Sequence, residues 1–152
     1  MIDPALDNIN KLTEQNYPIV YFETLRCEHI ADLFKNLSLA SSKAIYHWQP
    51  ETGMYRMDAK HIMIPRSIEP TDLLTTINSM AHFGVFVLSN FEDHITDRRI
   101  VELLKNISAM HKSNPKMIIL LGNKMEIPGD LRPSVAHIRH TMRSNTDVQK
   151  TG

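Results

Sequence analysis

Apolar residues recur with a helical period in some parts of the chain and form short continuous runs in others. The helical period covers residues 4–15, 27–40, 69–81 and 96–111, where apolar side chains return every three or four positions. The short runs cover residues 17–23, 44–49, 85–89 and 116–121, which are rich in β-branched and aromatic side chains. The pattern predicts four helices and at least five strands, the last of them over residues 135–142.

Strands and helices alternate for most of the chain, and such alternation is typical of a mainly parallel sheet. Right-handed crossovers then place helices on both faces, so we expect a three-layer α/β/α sandwich. Residues 51–67 have no clear period, although residues 54–57 and 62–64 could be short β segments. We predict one domain over residues 1–143, with Thr96 as the N-cap of the fourth helix, and a polar, flexible tail over residues 144–152.

Composition narrows the possible functions. The chain has 152 residues, 42% of them hydrophobic, and its formal net charge is zero. A neutral chain lacks the positive field that general binding to nucleic acid or to acidic membranes requires. Cys27 is the single cysteine, and no signal peptide or apolar run of membrane-spanning length is found in the sequence. We therefore expect a cytoplasmic protein that needs neither membrane nor nucleic acid as a partner.

The first strand-to-helix turn has the sequence ETLRCEH, and it stands where a nucleotide-binding fold places its phosphate loop. That loop needs glycines, so that backbone N–H groups can approach the phosphate, together with a lysine and a serine or threonine. The turn contains no glycine, and the carboxylates of Glu23 and Glu28 would repel phosphate. Hydrolysis of a nucleotide by the usual route is therefore not expected, and no cofactor is predicted.

The strand VFVLS is followed by the polar turn NFEDH. Glu92 and Asp93 could bind Mg²⁺ with His94 nearby, because carboxylates are the ligands that this ion prefers. The same residues are equally typical of a polar turn before a helix, and without a phosphate loop to deliver a substrate we favour the turn. We predict no metal site and keep Glu92 and Asp93 as candidate ligand-binding residues.

Three further sets of residues are candidates for chemistry. Asn123 follows the next strand in the sequence GNKME, which matches two letters of a guanine-binding motif but has Glu126 where that motif has aspartate. Cys27 begins a helix, where the dipole lowers a thiol pKa, although Glu23 and Glu28 oppose that effect. On a strand, His137 and His140 would point to opposite faces; on a helix they could share a face, but two ligands alone do not make a zinc site. Only Asn123 is retained as a candidate ligand-binding residue.

The C-terminal part of the chain has a basic bias. Arg132, Arg139 and Arg143 lie within a dozen positions of one another, and arginine is well suited to contacts with carboxylates and phosphates. We predict that these three residues contact a partner.

Several of these segments together resemble the N-terminal region of a non-standard AAA-type ATPase family. The segments are YPIVYFET, AIYHWQPETGM, GVFVLSNFEDHITDRRIVELLKNI and KMIILLGNKMEIPGDLRP. The family occurs in bacteria, especially cyanobacteria, and in algal chloroplast genomes. Its members begin with a degenerate AAA-like domain that lacks the phosphate loop, and an active ATPase module follows.

The resemblance implies an AAA-like sheet in which Val85–Ser89 takes the place of the Walker B strand and residues 116–121 that of the sensor strand. Asn123 then falls near the polar sensor residue. We expect a non-catalytic regulatory or protein-interaction domain, whose partner is an AAA ATPase module or a second copy of itself. The alternative is a small-ligand or divalent-metal enzyme, or a nucleotide binder, that uses Glu92, Asp93 and Asn123.

Overall fold

The computed structural model describes residues 4–140 and 148–150. The helices are α1 (Pro4–Thr13), α2 (Cys27–Ala40), α3 (Pro70–Ser79) and α4 (Arg98–Ala109). The strands are β1 (Ile19–Glu23), β2 (Ile45–Gln49), β3 (Gly53–Arg56), β4 (Ala59–Met63), β5 (Val85–Ser89), β6 (Met117–Gly122), β7 (Val135–His140) and β8 (Val148–Lys150). A 3₁₀ turn, Arg132–Ser134, precedes β7. Among these elements, no helix is long and apolar enough to cross a membrane.

The strands form one sheet in the order β4-β3-β2-β5-β6-β1-β7-β8. Neighbours from β2 to β7 pair in parallel, whereas β3, β4 and β8 pair antiparallel at the two ends. Strands β5 and β6 are buried on both faces, which explains why they are continuous apolar runs in the sequence. The prediction of an α/β sandwich with a mainly parallel, AAA-like sheet is confirmed.

Each face of the sheet packs against a separate helical layer. Helices α3 and α4 cover one face, which we call the α3/α4 face, through buried residues such as Leu74 and Leu104. Helices α1 and α2 cover the other, the α1/α2 face, through residues such as Ile9 and Phe34. Because side chains alternate along a strand, neighbouring residues of β1, β5 and β6 belong to different layers of the core.

The structure differs from the predictions at three places. Helix α4 is capped by Asp97, whose side chain accepts a hydrogen bond from Arg99 N at 2.9 Å, so the prediction of Thr96 as N-cap was wrong. Residues 51–67, for which only short β segments at 54–57 and 62–64 were suggested, form the hairpin β3–β4, whose register shifts between Tyr55 and Arg56. Part of the expected polar tail, Val148–Lys150, forms the edge strand β8.

Candidate functional site

The carboxyl end of β1 lies at the point where the chain changes direction across the sheet. From β1 the chain crosses to β2 on one side, whereas from β6 it passes over β1 to reach β7 on the other. In open α/β sheets, ligands bind in the crevice outside the strand ends at such a switch point. The turn after β1 and the ends of β6 and β7 are therefore the place to look for a site.

The turn between β1 and α2 is short and already uses its own polar groups. Only three residues, Thr24–Leu25–Arg26, connect the two elements. Thr24 N donates to Gly122 O, and Arg26 N donates to Thr24 Oγ1, both at 2.9 Å. Two of the backbone donors that a phosphate loop would offer to a ligand are thus engaged within the protein.

A buried hydrogen bond fixes the same turn to the last strand of the parallel core. Thr24 is 1% exposed, and its Oγ1 lies 2.9 Å from Nδ1 of His140, which is also buried. Cys27 Sγ donates to Thr24 O at 3.6 Å. These contacts leave the turn with little freedom to open around a ligand.

Glu92 brings a negative charge to this strand end. A Cβ added to Gly122 would lie 2.7 Å from Glu92 Oε2, so the carboxylate rests against the backbone at the end of β6. Burial first, and then the charge of Glu92, raise the pKa of the Cys27 thiol. A raised pKa keeps the thiol protonated, which is unfavourable for the nucleophile that we considered at Cys27.

Tyr21 connects the sheet to the loop that follows β6. Its hydroxyl donates to Asn123 O at 3.2 Å and accepts from Met125 N at 2.9 Å. Burial is the main cause that raises the pKa of this hydroxyl, so it stays protonated. Asn123, a predicted ligand-binding residue, contributes its backbone carbonyl to this contact.

A cluster of polar side chains lies on the α3/α4 face of β1 and β7. Glu23 Oε1 is 2.7 Å from His137 Nε2 and 3.4 Å from Arg139 Nε. The His137 ring stacks on Tyr21, with a distance of 4.7 Å between the ring centroids. The carboxylate of Glu23 therefore has two partners on the neighbouring strand β7 and is not an unpaired charge at the strand end.

A cavity of about 740 Å³ lies beside this cluster. Its walls come from β1, β7, the loop after β6, and Thr96 just before α4. The lining residues are Tyr21, Thr96, Met125, Glu126, Ile127, Pro128, Arg132, Val135 and His137. Its lining is mixed, with the polar side chains of Glu126, Arg132 and His137 beside apolar ones.

The structure brings some of the predicted site residues together and separates others. Glu92 and Asn123 both lie at the end of β6: the Glu92 carboxylate packs against Gly122, and Asn123 is the next residue in the chain. Asp93 is exposed, and the ring of His94 packs edge-on against Trp48. Among the side chains that the structure describes, no three His, Cys, Asp or Glu residues are grouped as metal ligands would be.

One of the predicted partner-contact residues, Arg132, lines the cavity. Arg139 is not part of the lining, and its Nε lies 3.4 Å from Glu23 Oε1. Both arginine residues are exposed. Arg143 lies outside the described residues.

One buried polar network was missed by the sequence analysis. His47 lies 2.7 Å from Ser89 Oγ through Nε2 and 2.9 Å from Tyr55 OH through Nδ1. Ser89 ends β5, where the Walker B acid of a working ATPase would lie. Because side chains alternate along a strand, the sequence predicts that His47 and Trp48 lie on opposite faces of the sheet. Nothing in the sequence indicates which residues His47 contacts.

The buried His140 makes the stability of the fold depend on pH. Burial, followed by the positive charges of His29 and Arg26, lowers its pKa below the ordinary value of 6.5. The unfolded chain then binds a proton before the folded one does, so the contribution is complete above 6.5 and is lost as the pH falls through the folded pKa.

We expect the stability difference between the wild type and His140→Gln to shrink on acidification. Urea unfolding of both proteins at several pH values between about 8 and 5 measures it. A difference that stays constant, or grows toward low pH, would contradict the assignment of a depressed pKa to His140.

Comparison with known proteins supplies a family for this arrangement. The family model described as "SpoVK-like AAA ATPase, N-terminal domain" matches residues 5–140. An uncharacterized AAA domain-containing protein, ycf46 of Trieres chinensis, is 24% identical over 93% of the chain, and its counterpart in Pyropia yezoensis is 20% identical over 94%. The chain spans 29% of the length of each of these relatives. No solved structure matches the chain.

Proposed function

We propose that this chain, which belongs to the family of SpoVK-like AAA ATPase N-terminal domains, is a non-catalytic interaction domain that regulates an ATPase module. In this proposal the domain keeps the AAA-like sheet as a rigid support for contacts with another protein. In this proposal it neither binds nor hydrolyses nucleotide.

The proposal rests on the turn Thr24–Leu25–Arg26 after β1, which we call the closed turn because its polar groups are bonded within the protein. A phosphate loop needs several residues whose N–H groups point freely at the ligand, followed by a lysine. Here three residues connect strand to helix, and the N–H groups of Thr24 and Arg26 are bonded within the protein. Phosphate would have to displace these bonds and would gain no lysine in exchange.

The charges near the strand ends support the same conclusion. Glu92 lies against the end of β6, so an incoming phosphate would meet a carboxylate at short range. Ser89 ends β5 and contacts His47, whereas a working ATPase needs an acid there to hold Mg²⁺. Two parts of the catalytic apparatus are thus replaced by structural contacts.

The proposal predicts a measurable assembly. Size-exclusion chromatography with light scattering, on the purified chain alone and mixed with an AAA module of the family, reports the masses present. We expect either a mass above that of the monomer for the chain alone or, in the mixture, a species with the summed mass of the chain and the module, and no phosphate release by the chain alone. A chain that elutes as a monomer in both samples, or that turns over ATP by itself, would contradict the proposal.

A further inference from the structure

The layer of helices on the α3/α4 face is incomplete. Helix α3 precedes β5 and helix α4 connects β5 to β6, and both pack on this face. The next crossover, from β6 over β1 to β7, should lie on the same face because parallel crossovers are right-handed. It consists of residues 123–134 and contains only the 3₁₀ turn Arg132–Ser134. The place of a third helix, above β1 and β7, is left to a loop.

The β7 side chains on the α3/α4 face are less buried than those of β5 and β6, as expected where no helix covers them. On the α1/α2 face, Ile138 and His140 are 5% and 4% exposed, and the small side chain of Ala136 is half-buried. On the α3/α4 face, Val135 and His137 are only half-buried and Arg139 is exposed. In β5 and β6, which lie under α3 and α4, the residues of the same face are fully buried.

The dimensions of the gap suit a helix. Strands lie about 4.8 Å apart, so the three spacings from β6 to β8 measure about 14 Å, and a helix with its side chains is about 10–12 Å across. The cavity of about 740 Å³ beside the loop is the empty part of this space. Ile127, Pro128 and Val135 give it an apolar wall, as the buried side of a packed helix requires.

The charges on the rim indicate which helix would fit. Arg132 is exposed, donates from Nε to Ile127 O at 3.2 Å, and has no carboxylate partner among the described residues. Arg139 shares Glu23 with His137 at the longer distance of 3.4 Å. Glu126, on the loop, adds one negative charge to the same rim. A carboxylate near the two arginines and a basic group near Glu126 would complement these charges.

We propose that a partner protein supplies the missing third helix: an amphipathic helix packs its apolar face on β1 and β7 and presents a carboxylate to Arg132. The inference rests on the proposed function, since it names the surface and the chemistry of the partner of an interaction domain. Continuity with the α3–α4 layer favours a helix over an extended segment. The guanidinium of Arg132, which has no carboxylate partner among the described residues, favours an acidic helix.

Site-specific photo-crosslinking in the protein's own cells tests the proposal. The crosslinking residue p-benzoylphenylalanine replaces Thr96, which is exposed at the cavity. Matched control variants carry it at Glu102, on the exposed side of α4, and at Ile62, on the edge strand β4, where the side chain is 48% exposed. Mass spectrometry of the crosslinked peptides identifies the segment of the partner at each position.

We expect crosslinks from position 96 to an apolar, helix-forming segment with an acidic residue within one turn. Arg132→Glu in the same protein should lower the yield at least about tenfold, and exchange of the partner's acid for lysine should restore it. Recovery by the second exchange distinguishes contact from unfolding.

Other results would overturn the inference in distinguishable ways. Crosslinks from position 62 or 102 but not from 96 would leave an interaction domain whose partner binds elsewhere. Crosslinks from position 96 to an extended segment, or to a second copy of this chain, would exclude a helix from a different protein. An absence of crosslinks at all three positions, together with ATP turnover, would remove the proposed function as well.

Discussion

Replacement of Trp48 by alanine is expected to lower the free energy of unfolding by about 3–5 kcal/mol. Trp48 is 1% exposed on β2, and its ring meets Phe91 edge-on at a centroid distance of 5.5 Å. Its Nε1 donates to Ile68 O at 3.2 Å. The substitution leaves a cavity in the α3/α4 core and removes a contact that holds the turn after β5, the one that contains Glu92.

Urea unfolding followed by far-UV circular dichroism measures this loss. Phe83→Ala is the matched control, because that aromatic side chain is 44% exposed and its removal should change stability by at most about 0.5 kcal/mol. Equal losses in the two variants would show that Trp48 does not occupy the packed position described for it.

The second large effect is expected from Thr24→Val, which keeps the shape of the side chain but removes its hydroxyl. Arg26 N and His140 Nδ1 would each lose the atom that they contact at 2.9 Å. A buried polar group left without a partner costs about 1–3 kcal/mol, and because the Arg26 N–H is only part-buried, we expect the two losses together to reach about 2–4 kcal/mol.

Thr24→Ser separates the hydroxyl from the methyl group of the side chain. Serine keeps the hydrogen bonds, so its loss should stay below about 1.5 kcal/mol in the same urea experiment. If valine is tolerated as well as serine, the hydroxyl does not fix the turn, and the description of a closed turn fails.

Much of the fold is predictable from the sequence because the local signals agree with the tertiary packing. Helix α2 begins and ends at the predicted residues, Cys27 and Ala40, and β5 coincides with the predicted strand Val85–Ser89. In both segments the apolar period matches the face that is buried. The hairpin β3–β4 was predictable only in part, because a shift in register breaks the alternation of its side chains.

The candidate site was less predictable, because residues distant in the sequence form it. Thr24 and His140 are separated by 116 positions, and Ser89 and His47 by 42. The missing phosphate loop could be identified from the letters ETLRCEH, since the motif depends on residue type within one short segment. The cavity could not be predicted, because it lies beside a crossover that contains no α-helix. Only the order of the strands shows that a helix would be expected there.

Titration of Mg²⁺–ATP into the purified chain, followed by calorimetry and by thermal unfolding, tests the closed turn most directly. A ligand at a hundred times its Kd stabilises a protein by about 2.7 kcal/mol, so even weak binding is measurable at millimolar ATP. The closed turn and Glu92 predict no heat of binding and no change in Tm. A saturable heat together with a Tm that rises with ATP concentration would contradict the proposal that this domain does not bind phosphate.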